Sequence, residues 1–454
     1  MSQSKDLPEV VSAPTHEDFC SYLPWACLQF GVPAVVAINR IIEGGLSKPH
    51  PESNRISKGR KTSSTFHLPL SDEKQSTADP KNPKIYITAV FNYATKLIKL
   101  IFEDKNESIP REVMKVINLI IHKQVNLRRL EIKSGVDKFI MHEISEIQKV
   151  SYLTEICLDN SFVKEGNYAV LLDTDSLRYL SLSKCKINDE VIEEICKNLE
   201  YPKPASKSLV ALVLSTNMIT DDGAKFLGEA LRSNRKLAYL NLADNGITDE
   251  GASYFLDTLV EFRIRTEELV AAKGRRFAYL KERNTVSLYK INHKEDKKST
   301  KSKLSTSSVS SKKGKLKDTL KSRENSKASV IADETEHETR IDEDFHDPFH
   351  FPNIYMKEGT AYCKGNNFLL YLNVAYNNLT YISLKKILEV ILYQKISDIG
   401  KGLVDVKLDG NYLPECEEMH ELDMLLSQKR SSDESIKASS RRRSKTSKHR
   451  RDTE

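Results

Sequence analysis

Residues Leu209–Leu231 read LVALVLSTNMITDDGAKFLGEAL, and residues Leu237–Leu259 read LAYLNLADNGITDEGASYFLDTL. The second segment is a copy of the first and begins 28 residues after it. Both share the pattern Leu-x-x-Leu-x-Leu-x-x-Asn-x-Ile-Thr-Asp-(Asp/Glu)-Gly-Ala. Self-similarity at a fixed short period is typical of a stacked solenoid. Each copy therefore predicts a strand, a turn and a helix, and the stack predicts a binding surface rather than a catalytic site.

The leucines and the asparagine of the pattern have separate physical roles. Leu237, Leu240 and Leu242 are predicted to face the interior, because strand residues two apart share a face and the first leucine lies at the preceding bend. Asn217 and Asn245 fall where the strand turns away. Their amides can satisfy backbone groups that a stack of turns would otherwise leave unpaired, so both are predicted to be structural.

The helix of each copy carries a start signal. Thr220 and Thr248 are suited to the N-cap position. The acidic residues that follow are predicted to cap the positive end of the helix dipole rather than to act in catalysis; they are Asp221, Asp222, Asp249 and Glu250.

Weaker copies flank the two strong ones, so we predict about seven units in total. Cys185 takes the Asn position in one of them, and the leucine patterns of the weaker copies begin at Leu127, Leu153, Leu177, Leu369 and Leu403. A strand at Ile85–Ile87 followed by the helix pattern from Pro110 matches too poorly to count as a unit. It is interpreted as a candidate cap for the open N-terminal edge.

The strand residues that alternate with the buried leucines are predicted to form a ladder on the concave face of the solenoid. Tyrosine recurs at one template position, the centre of the ladder is aromatic and small, and its ends are charged. Tyrosine anchors ringed by polar residues are favoured at protein interfaces, although the position could also simply tolerate Tyr. The candidate partner-binding residues are Tyr179, Ser181, Val213, Tyr239, Asn241, Tyr371, Asn373, Asp405 and Lys407.

More than one hundred residues interrupt the repeats before Leu369. From Glu250 to about Asn284 the apolar spacing predicts one long helix, broken only at Gly274. That helix could dock a partner helix, pack on the flank of its own solenoid, or fray after Gly274. From His293 to about Arg340 the chain is rich in Lys and Ser and is predicted to be disordered.

A second basic segment closes the chain at residues 428–454, with Arg441, Arg442, Arg443, Lys445, Lys448, Arg450 and Arg451 among serines. The net charge is +6, from 70 Lys and Arg against 64 Asp and Glu, so the folded part is expected to be close to neutral or acidic. A nuclear-import receptor, RNA, an acidic lipid surface or the acidic face of a microtubule would each suit such a tail. The alternative is a solvated tail that only keeps the protein soluble.

Composition excludes several classes of protein. No segment approaches the roughly 18 apolar residues that cross a bilayer, and the apolar stretch from Phe30 is too short and too far inside to be a signal peptide. The seven cysteines are scattered without a Cys-x-x-Cys pair, so reduced thiols and a cytosolic location are expected. No aromatic-interleaved surface for nucleic acid is evident, and protein partners are favoured.

No catalytic pattern is present. The sequence has no Gly-rich phosphate loop, HExxH or GxSxG motif, and no cofactor or small-molecule substrate is predicted. His337, His346 and His350 lie in an acidic segment that could hold a metal weakly, but such segments more often offset nearby basic charge, so no metal site is predicted.

The repeats resemble the ribonuclease-inhibitor type of leucine-rich repeat, in which units of about 28 residues pair each strand with a full helix. Over most of the chain, the order of segments also resembles a leucine-rich-repeat family associated with motile cilia and sperm flagella. That resemblance is carried by HEDFCSYLPWACLQFG, the clustered repeats, FRIRTEELVAAKGRR, the Lys/Ser-rich insertion, LLYLNVAYNNLT and GLVDVKLDGNYLPE. It implies an axonemal scaffold or adaptor whose partners are axonemal proteins or the microtubule surface, with no catalytic residues. The Arg/Ser tail lies outside the pattern.

The predicted fold is thus an α/β leucine-rich-repeat solenoid, a curved horseshoe interrupted by a long disordered insertion. Its predicted segments are a partly disordered N-terminal region 1–82, repeats with an extended helix over 83–290, a basic linker 291–345, further repeats over 346–427 and a basic tail 428–454. The leading functional hypothesis is a non-enzymatic scaffold of the motile cilium. The alternatives are a soluble regulator of an enzyme such as a GTPase, and a nuclear adaptor imported through the tail.

Overall fold

The structure is a computed structural model that describes residues 13–43, 83–104, 108–301, 345–397 and 400–431, with the backbone alone for 286–301. The chain forms two compact units. The first comprises the described residues up to Leu259 together with those from Asn366 onward, and the second is Val260–Gly365.

The described residues form thirteen strands, which in chain order are β1 Val35–Ile42, β2 Lys84–Phe91, β3 Leu97–Phe102, β4 Arg129–Ile132, β5 Glu155–Cys157, β6 Tyr179–Ser181, β7 Ala211–Val213, β8 Tyr239–Asn241, β9 Phe262–Arg263, β10 Ile354–Lys357, β11 Thr360–Cys363, β12 Tyr371–Asn373 and β13 Asp405–Lys407. Ten of them make one sheet in the first unit, in the order β1-β2-β3-β4-β5-β6-β7-β8-β12-β13. Every neighbouring pair in that sheet is parallel except β2 and β3.

The helices in chain order are α1 Phe19–Gln29, α2 Arg111–Ile121, α3 Lys138–Val150, α4 Asp189–Leu199, α5 Ala205–Ser208, α6 Asp221–Ser233, α7 Asp249–Leu256, α8 Thr266–Lys301, α9 Tyr381–Ser397 and α10 over residues 417–431. Two 3-10 helices lie at Asn167–Leu172 and Asp257–Leu259.

The predicted repeats are confirmed as an α/β solenoid. Each of the seven predicted units supplies one strand of the parallel sheet, namely β4 to β8, β12 and β13. The pattern leucines Leu212, Leu214, Leu240 and Leu242 have no measurable exposure, so the core lies between the sheet and the helices. Burying apolar side chains of this size is the main stabilising term of the unit.

The N-terminal edge is not built from a repeat. The strand expected near Ile85–Ile87 is β2, which pairs with β3 in antiparallel orientation. On its other side β2 pairs in parallel with β1, the edge strand of the sheet. Strand β2 buries every second residue from Ile85 to Phe91, and β3 alternates from Lys99 to Phe102, which is the period-two pattern of a sheet rather than the repeat pattern. Helix α1 precedes this edge with Phe19, Leu23, Ala26 and Cys27 buried.

The second unit of the solenoid departs from the predicted full helix. Behind β5 the chain forms the short 3-10 helix Asn167–Leu172 instead. Tyr168 fills the space with 1% exposure, and its hydroxyl donates to the carbonyl of Ser161 at 2.7 Å while accepting from the amide of Val163 at 2.9 Å. A large buried side chain with a satisfied hydroxyl can replace the apolar face of a missing helix.

An asparagine ladder joins successive repeats, as the sequence predicted for Asn217 and Asn245. The oxygen Oδ1 of Asn217 accepts from the amides of Cys185 and Ile187, and its Nδ2 donates to the carbonyls of Leu182 and Leu214. Asn411 repeats this arrangement with two amides, and Asn245 and Asn377 repeat it with one amide each, from Ile219 and Ile247; all three donate through Nδ2 to carbonyls of their own and the preceding turn. Each amide therefore serves its own turn and the turn of the preceding unit.

The acidic residues at the helix starts act across repeats and not only on their own helix. Thr220 and Thr248 are N-cap residues, as predicted, but Thr220 donates its hydroxyl to Asp189 of the preceding unit at 2.6 Å. The carboxylate of Asp221 likewise accepts from the amide of Thr248 at 2.7 Å and from its hydroxyl at 2.6 Å. Asp221 lies in the first turn of its own helix, as predicted, and its oxygens also accept from Thr248, the N-cap residue of the next helix, which the sequence did not indicate.

The same contacts close the stack across the insertion. Strand β12 pairs with β8 in parallel, with Tyr371 opposite Tyr239 and Asn373 opposite Asn241. Asp249 accepts from the amide of Thr380 at 2.9 Å and from the amide of Ser383 at 3.1 Å, 131 and 134 residues away in sequence. The repeats before and after the insertion are therefore one continuous sheet.

The predicted long helix from Glu250 to Asn284 is wrong. Helix α7 ends at Leu256, and α8 begins only at Thr266. The α-helix gives way to the 3-10 helix Asp257–Leu259, whose carbonyls are bound by residues after the insertion: the amide of Asn366 donates to Thr258 at 2.7 Å, and Gln394 donates to Leu259 at 3.2 Å. The predicted break at Gly274 is absent, since α8 continues through it.

The second compact unit has its own core. Strands β10, β11 and β9 form an antiparallel sheet, and Ile264, Ala272, Phe349, Ala361 and Cys363 cluster together. The carboxylate of Asp347 is fully buried and is bound by Arg275 through Nε at 2.6 Å and Nη2 at 3.1 Å. Most of the predicted basic linker 291–345, namely residues 302–344 with His337 among them, lies outside the described residues. Among the residues that are described, no group of three or more His, Cys, Asp or Glu could hold a metal ion.

We expect Asp249→Asn to lower the free energy of unfolding of the first unit by about 2 kcal/mol at neutral pH, because four donated hydrogen bonds lose a charged acceptor. Burial opposes ionisation of Asp249, but the hydrogen bonds from Ser383 and Thr380 outweigh it and lower the pKa of the carboxyl. The stabilisation is therefore complete above the unfolded pKa of about 4 and is lost as pH falls through the folded pKa.

Denaturant unfolding at a series of pH values would measure this. The difference between the native chain and Asp249→Asn should be constant near neutral pH and shrink as the pH falls below about 4. Asp222→Asn changes an exposed carboxylate in the first turn of a neighbouring helix and serves as the control. A pH-independent difference, or an equal loss in the control, would contradict the cross-repeat role.

In the second unit, Arg275→Ala should leave Asp347 buried without its charged partner and cost about 3 kcal/mol. Hydrogen exchange of the β10 and β11 amides is then expected to accelerate about a hundredfold, with β6 and β7 unaffected. Lys273→Ala, an exposed position on the same helix, is the control. Equal acceleration in both sheets would show that the ion pair does not act locally.

Candidate protein-interaction face

The residues predicted to bind a partner lie on the sheet face opposite the buried leucines, which we call the strand face. Two register rows run across it. The first row is Lys99, Arg129, Glu155, Tyr179, Ala211, Tyr239, Tyr371 and Asp405. The second row is Ile101, Glu131, Cys157, Ser181, Val213, Asn241, Asn373 and Lys407.

The structure thus brings all nine predicted face residues into these two rows. The three tyrosines, which recur at one template position, line one stripe because β12 stacks directly on β8. Tyr179 is separated from Tyr239 by Ala211 alone, so the stripe has a small residue between its aromatic positions. Their role in binding stays a prediction.

A charged network occupies the N-terminal end of the strand face. Lys99 bonds Glu131 at 2.7 Å, and Arg129 lies 3.3 Å from Glu155 and 3.6 Å from Glu131. The guanidinium of Arg129 also lies over the ring of Tyr179, 5.5 Å from its centroid. These charges are already paired with each other, which is typical of a rim rather than of an anchor.

The middle of the face is polar and internally satisfied. Ser181 is almost fully buried and donates to Asp159 at 2.6 Å, and the hydroxyls of Ser183 and Ser215 lie 2.9 Å apart. Burial raises the pKa of the Cys157 thiol to about 11, so this thiol stays protonated and unreactive near neutral pH. Burial likewise raises the pKa of Tyr179. No group here is activated as a nucleophile.

Two identical Tyr-Leu-Asn strands form the next part of the face. The rings of Tyr239 and Tyr371 lie 6.3 Å apart between centroids and are tilted by 39°. Both rings are partly exposed, and the intervening Leu240 and Leu372 are buried beneath them. Each asparagine bonds its own turn, since Asn241 accepts from the amide of Ala243 and Asn373 from the amide of Ala375, both at 3.0 Å.

The C-terminal end of the face is held by α10. Arg430 donates to Asp405 at 2.7 Å, and Lys429 donates to the carbonyl of Leu403 at 3.0 Å. Burial, with a smaller contribution from Lys395, lowers the pKa of Lys429. Residues 428–431, which the sequence places in the basic tail, are therefore part of a helix here. The predicted tail residues Arg441, Arg442, Arg443, Lys445, Arg450 and Arg451 lie outside the described residues.

Sequence reasoning missed two features of this face. Lys99 and Ile101 extend both rows onto β3, and only the alternating pattern of that strand could have indicated them. A left-handed residue also follows the strand in five consecutive units, at Asn160, Lys184, Thr216, Asp244 and Tyr376. In each case its amide donates to the carbonyl two residues beyond the end of the next strand, so the backbone bond fixes a conformation that L-residues rarely adopt.

Comparison with protein-family models supports the repeat assignment. Models described as leucine-rich repeat match residues 176–198, 205–228, 233–256 and 365–388. A search of curated proteins gave no match. The chain therefore contains leucine-rich repeats, which are generally protein-interaction modules without enzymatic activity. Within the part of the chain that the structure describes, no helix combines the length and apolar character needed to cross a bilayer.

Two neighbouring asparagines provide a matched test of the site geometry. Asn241→Asp should leave the free energy of unfolding almost unchanged, because the oxygen that accepts from Ala243 is retained. Asn245→Asp should cost about 3 kcal/mol or more, because a carboxylate would replace an Nδ2 group that donates to the carbonyls of Leu214, Leu242 and Ala243. Denaturant unfolding measures both. Similar losses in the two variants would show that Asn241 is also structural.

Proposed function

We propose that this leucine-rich-repeat chain is a non-enzymatic scaffold or adaptor that binds a protein partner through its strand face. The observation that carries the proposal is the single register row holding Tyr179, Tyr239 and Tyr371 on one continuous sheet. Tyrosine presents a large apolar ring and a hydroxyl at a low cost in side-chain entropy, and it is enriched among interface anchors.

The surroundings of the tyrosines support this proposal. The charged groups at the N-terminal end are paired, and the serines beside Tyr179 are bonded to Asp159 or to each other. Such neighbours change little on binding and can exclude water from an aromatic centre. The tyrosine stripe is therefore the part of the face that would contribute most of the contact area with a partner.

We further propose that the partner belongs to the axoneme of motile cilia or flagella. The support is the resemblance of the segment order to leucine-rich-repeat-containing protein 71, over the segments quoted above from the N-terminal motif to the last repeat. The basic residues Arg441, Arg442, Arg443, Lys445, Arg450 and Arg451 would add electrostatic attraction to an acidic filament such as a microtubule. Phosphorylation of the tail serines would weaken that attraction.

The test is to tag the full chain in a multiciliated cell, extract with detergent and measure the fraction retained on the axoneme. Retention that falls as salt is raised is expected for an electrostatically assisted scaffold. The double variant Tyr239→Ala/Tyr371→Ala should lower retention at all salt concentrations. Tyr93→Ala, which removes a tyrosine that is 80% exposed in the β2–β3 turn, should not.

Deleting residues 432–454 separates the two contributions while sparing the contacts of Lys429 and Arg430. The truncated chain should keep its Tyr dependence and lose most of its salt dependence. Complete release of the full chain by detergent, or a nuclear signal, would contradict the axonemal proposal and favour a soluble regulator or a nuclear adaptor.

A further inference from the structure

The sequence Tyr-Leu-Asn occurs at residues 239–241 and again at 371–373, and the two copies are neighbours in the sheet. The insertion separates them in the chain, yet the strands pair residue by residue, tyrosine beside tyrosine and asparagine beside asparagine. The result is a doubled platform with one aromatic pair and one amide pair. Lys407 continues the amide row on the adjoining strand.

The orientation of both amides is fixed. Within an asparagine side chain only the oxygen can accept a backbone N–H, so the bonds from Ala243 to Asn241 and from Ala375 to Asn373 place each Oδ1 against the backbone. Each Nδ2 group is then directed away from that turn, and within the described residues neither Nδ2 has an acceptor. The side chain of Lys407 is 53% exposed, and its ammonium group lies 3.5 Å from the carboxylate of Asp405.

This row consequently offers donors on three successive strands, about 4.8 Å apart. The row is bounded by the apolar Val213 on one side, and the neighbouring carboxylate of Asp405 is occupied by Arg430 at 2.7 Å. The Nδ2 and ammonium groups can only donate, and the Oδ1 atom of each asparagine already accepts from a backbone amide. The platform is therefore suited to an anionic or carbonyl oxygen and not to a Lys or Arg side chain.

We propose that the doubled Tyr-Leu-Asn platform binds an acidic peptide segment of the protein partner, with an Asp or Glu carboxylate held between Asn241 and Asn373. The apolar part of the same segment packs against Tyr239 and Tyr371, and Lys407 attracts the charge. Hydrogen bonds to a charged acceptor are about twice as strong as neutral ones, which favours a carboxylate over an amide. This inference rests on the proposed function and specifies the partner's chemistry at that face.

The experiment is selection of displayed random 12-residue peptides on the full chain, followed by affinity measurement of the synthetic peptides recovered. We expect the peptides to contain Asp or Glu, and replacing that residue by Asn or Gln should weaken binding about tenfold. Asn241→Asp and Asn373→Asp keep the backbone bond but replace the donor with a charge that repels the ligand, and each should weaken binding by tenfold or more. Asn92→Asp, whose Oδ1 accepts from the amide of Lys96 in the β2–β3 turn, adds the same charge elsewhere and is the control.

The outcomes distinguish this inference from the function on which it rests. Basic or neutral peptides that lose binding in Tyr239→Ala/Tyr371→Ala, but are unaffected or strengthened by Asn241→Asp, would overturn the acidic ligand and leave the strand face as the binding surface. A peptide of residues 432–454 that bound more tightly than the selected peptides would likewise overturn it. Recovery of no peptide that depends on the two tyrosines would overturn the strand face as the binding site as well.

Discussion

The repeats depend on one constraint, which is that stacked turns leave backbone groups that neither their own strand nor water can satisfy. In the four units from β7 to β13 an asparagine meets this demand by accepting from backbone amides and donating to carbonyls of its own and the preceding turn, as Asn217 does. Because each amide bonds two units, the spacing between units is fixed wherever the ladder continues. Cys185 occupies the same position in the third unit and donates its thiol to the carbonyl of Leu158 at 3.1 Å, which is a weaker form of the same contact.

The strand face inherits its geometry from that ladder. Asn377 bonds the amide of Ile247 and the carbonyl of Leu242, so the register of β12 against β8 is set next to the tyrosines. Asp249 adds a second fixed point at the helix starts through Thr380. Because the turn after the strand and the start of the helix are both bonded to the preceding unit, the two Tyr-Leu-Asn strands pair in register, with tyrosine beside tyrosine and asparagine beside asparagine. The rigid scaffold, and not the loops, places the candidate site.

Much of this architecture could be predicted from the sequence, because each repeat encodes it locally. The leucine spacing, the Asn position and the Thr caps depend on neighbours within about ten residues, and all of them are confirmed at Leu240, Asn217 and Thr248. The long helix was wrong because the chain turns into the 3-10 helix Asp257–Leu259, whose carbonyls are bound by Asn366 and Gln394, more than one hundred residues away. The role of Asp221 was missed for a related reason, since an acidic first turn is explained equally well by its own helix dipole. Strands β1 and β3 carry no repeat pattern, so nothing in the template pointed to them.

The pairing of β8 with β12 also constrains how the protein is made. A ribosome that has completed β8 must still synthesise the whole second unit, about one hundred residues, before β12 emerges. At typical elongation rates this takes on the order of ten seconds, during which the edge of β8 is unpaired. An open strand edge of this kind is a substrate for chaperones and a starting point for misassembly. The second unit, whose core cluster lies within Val260–Gly365, can form that core during the same interval without any residue of the solenoid.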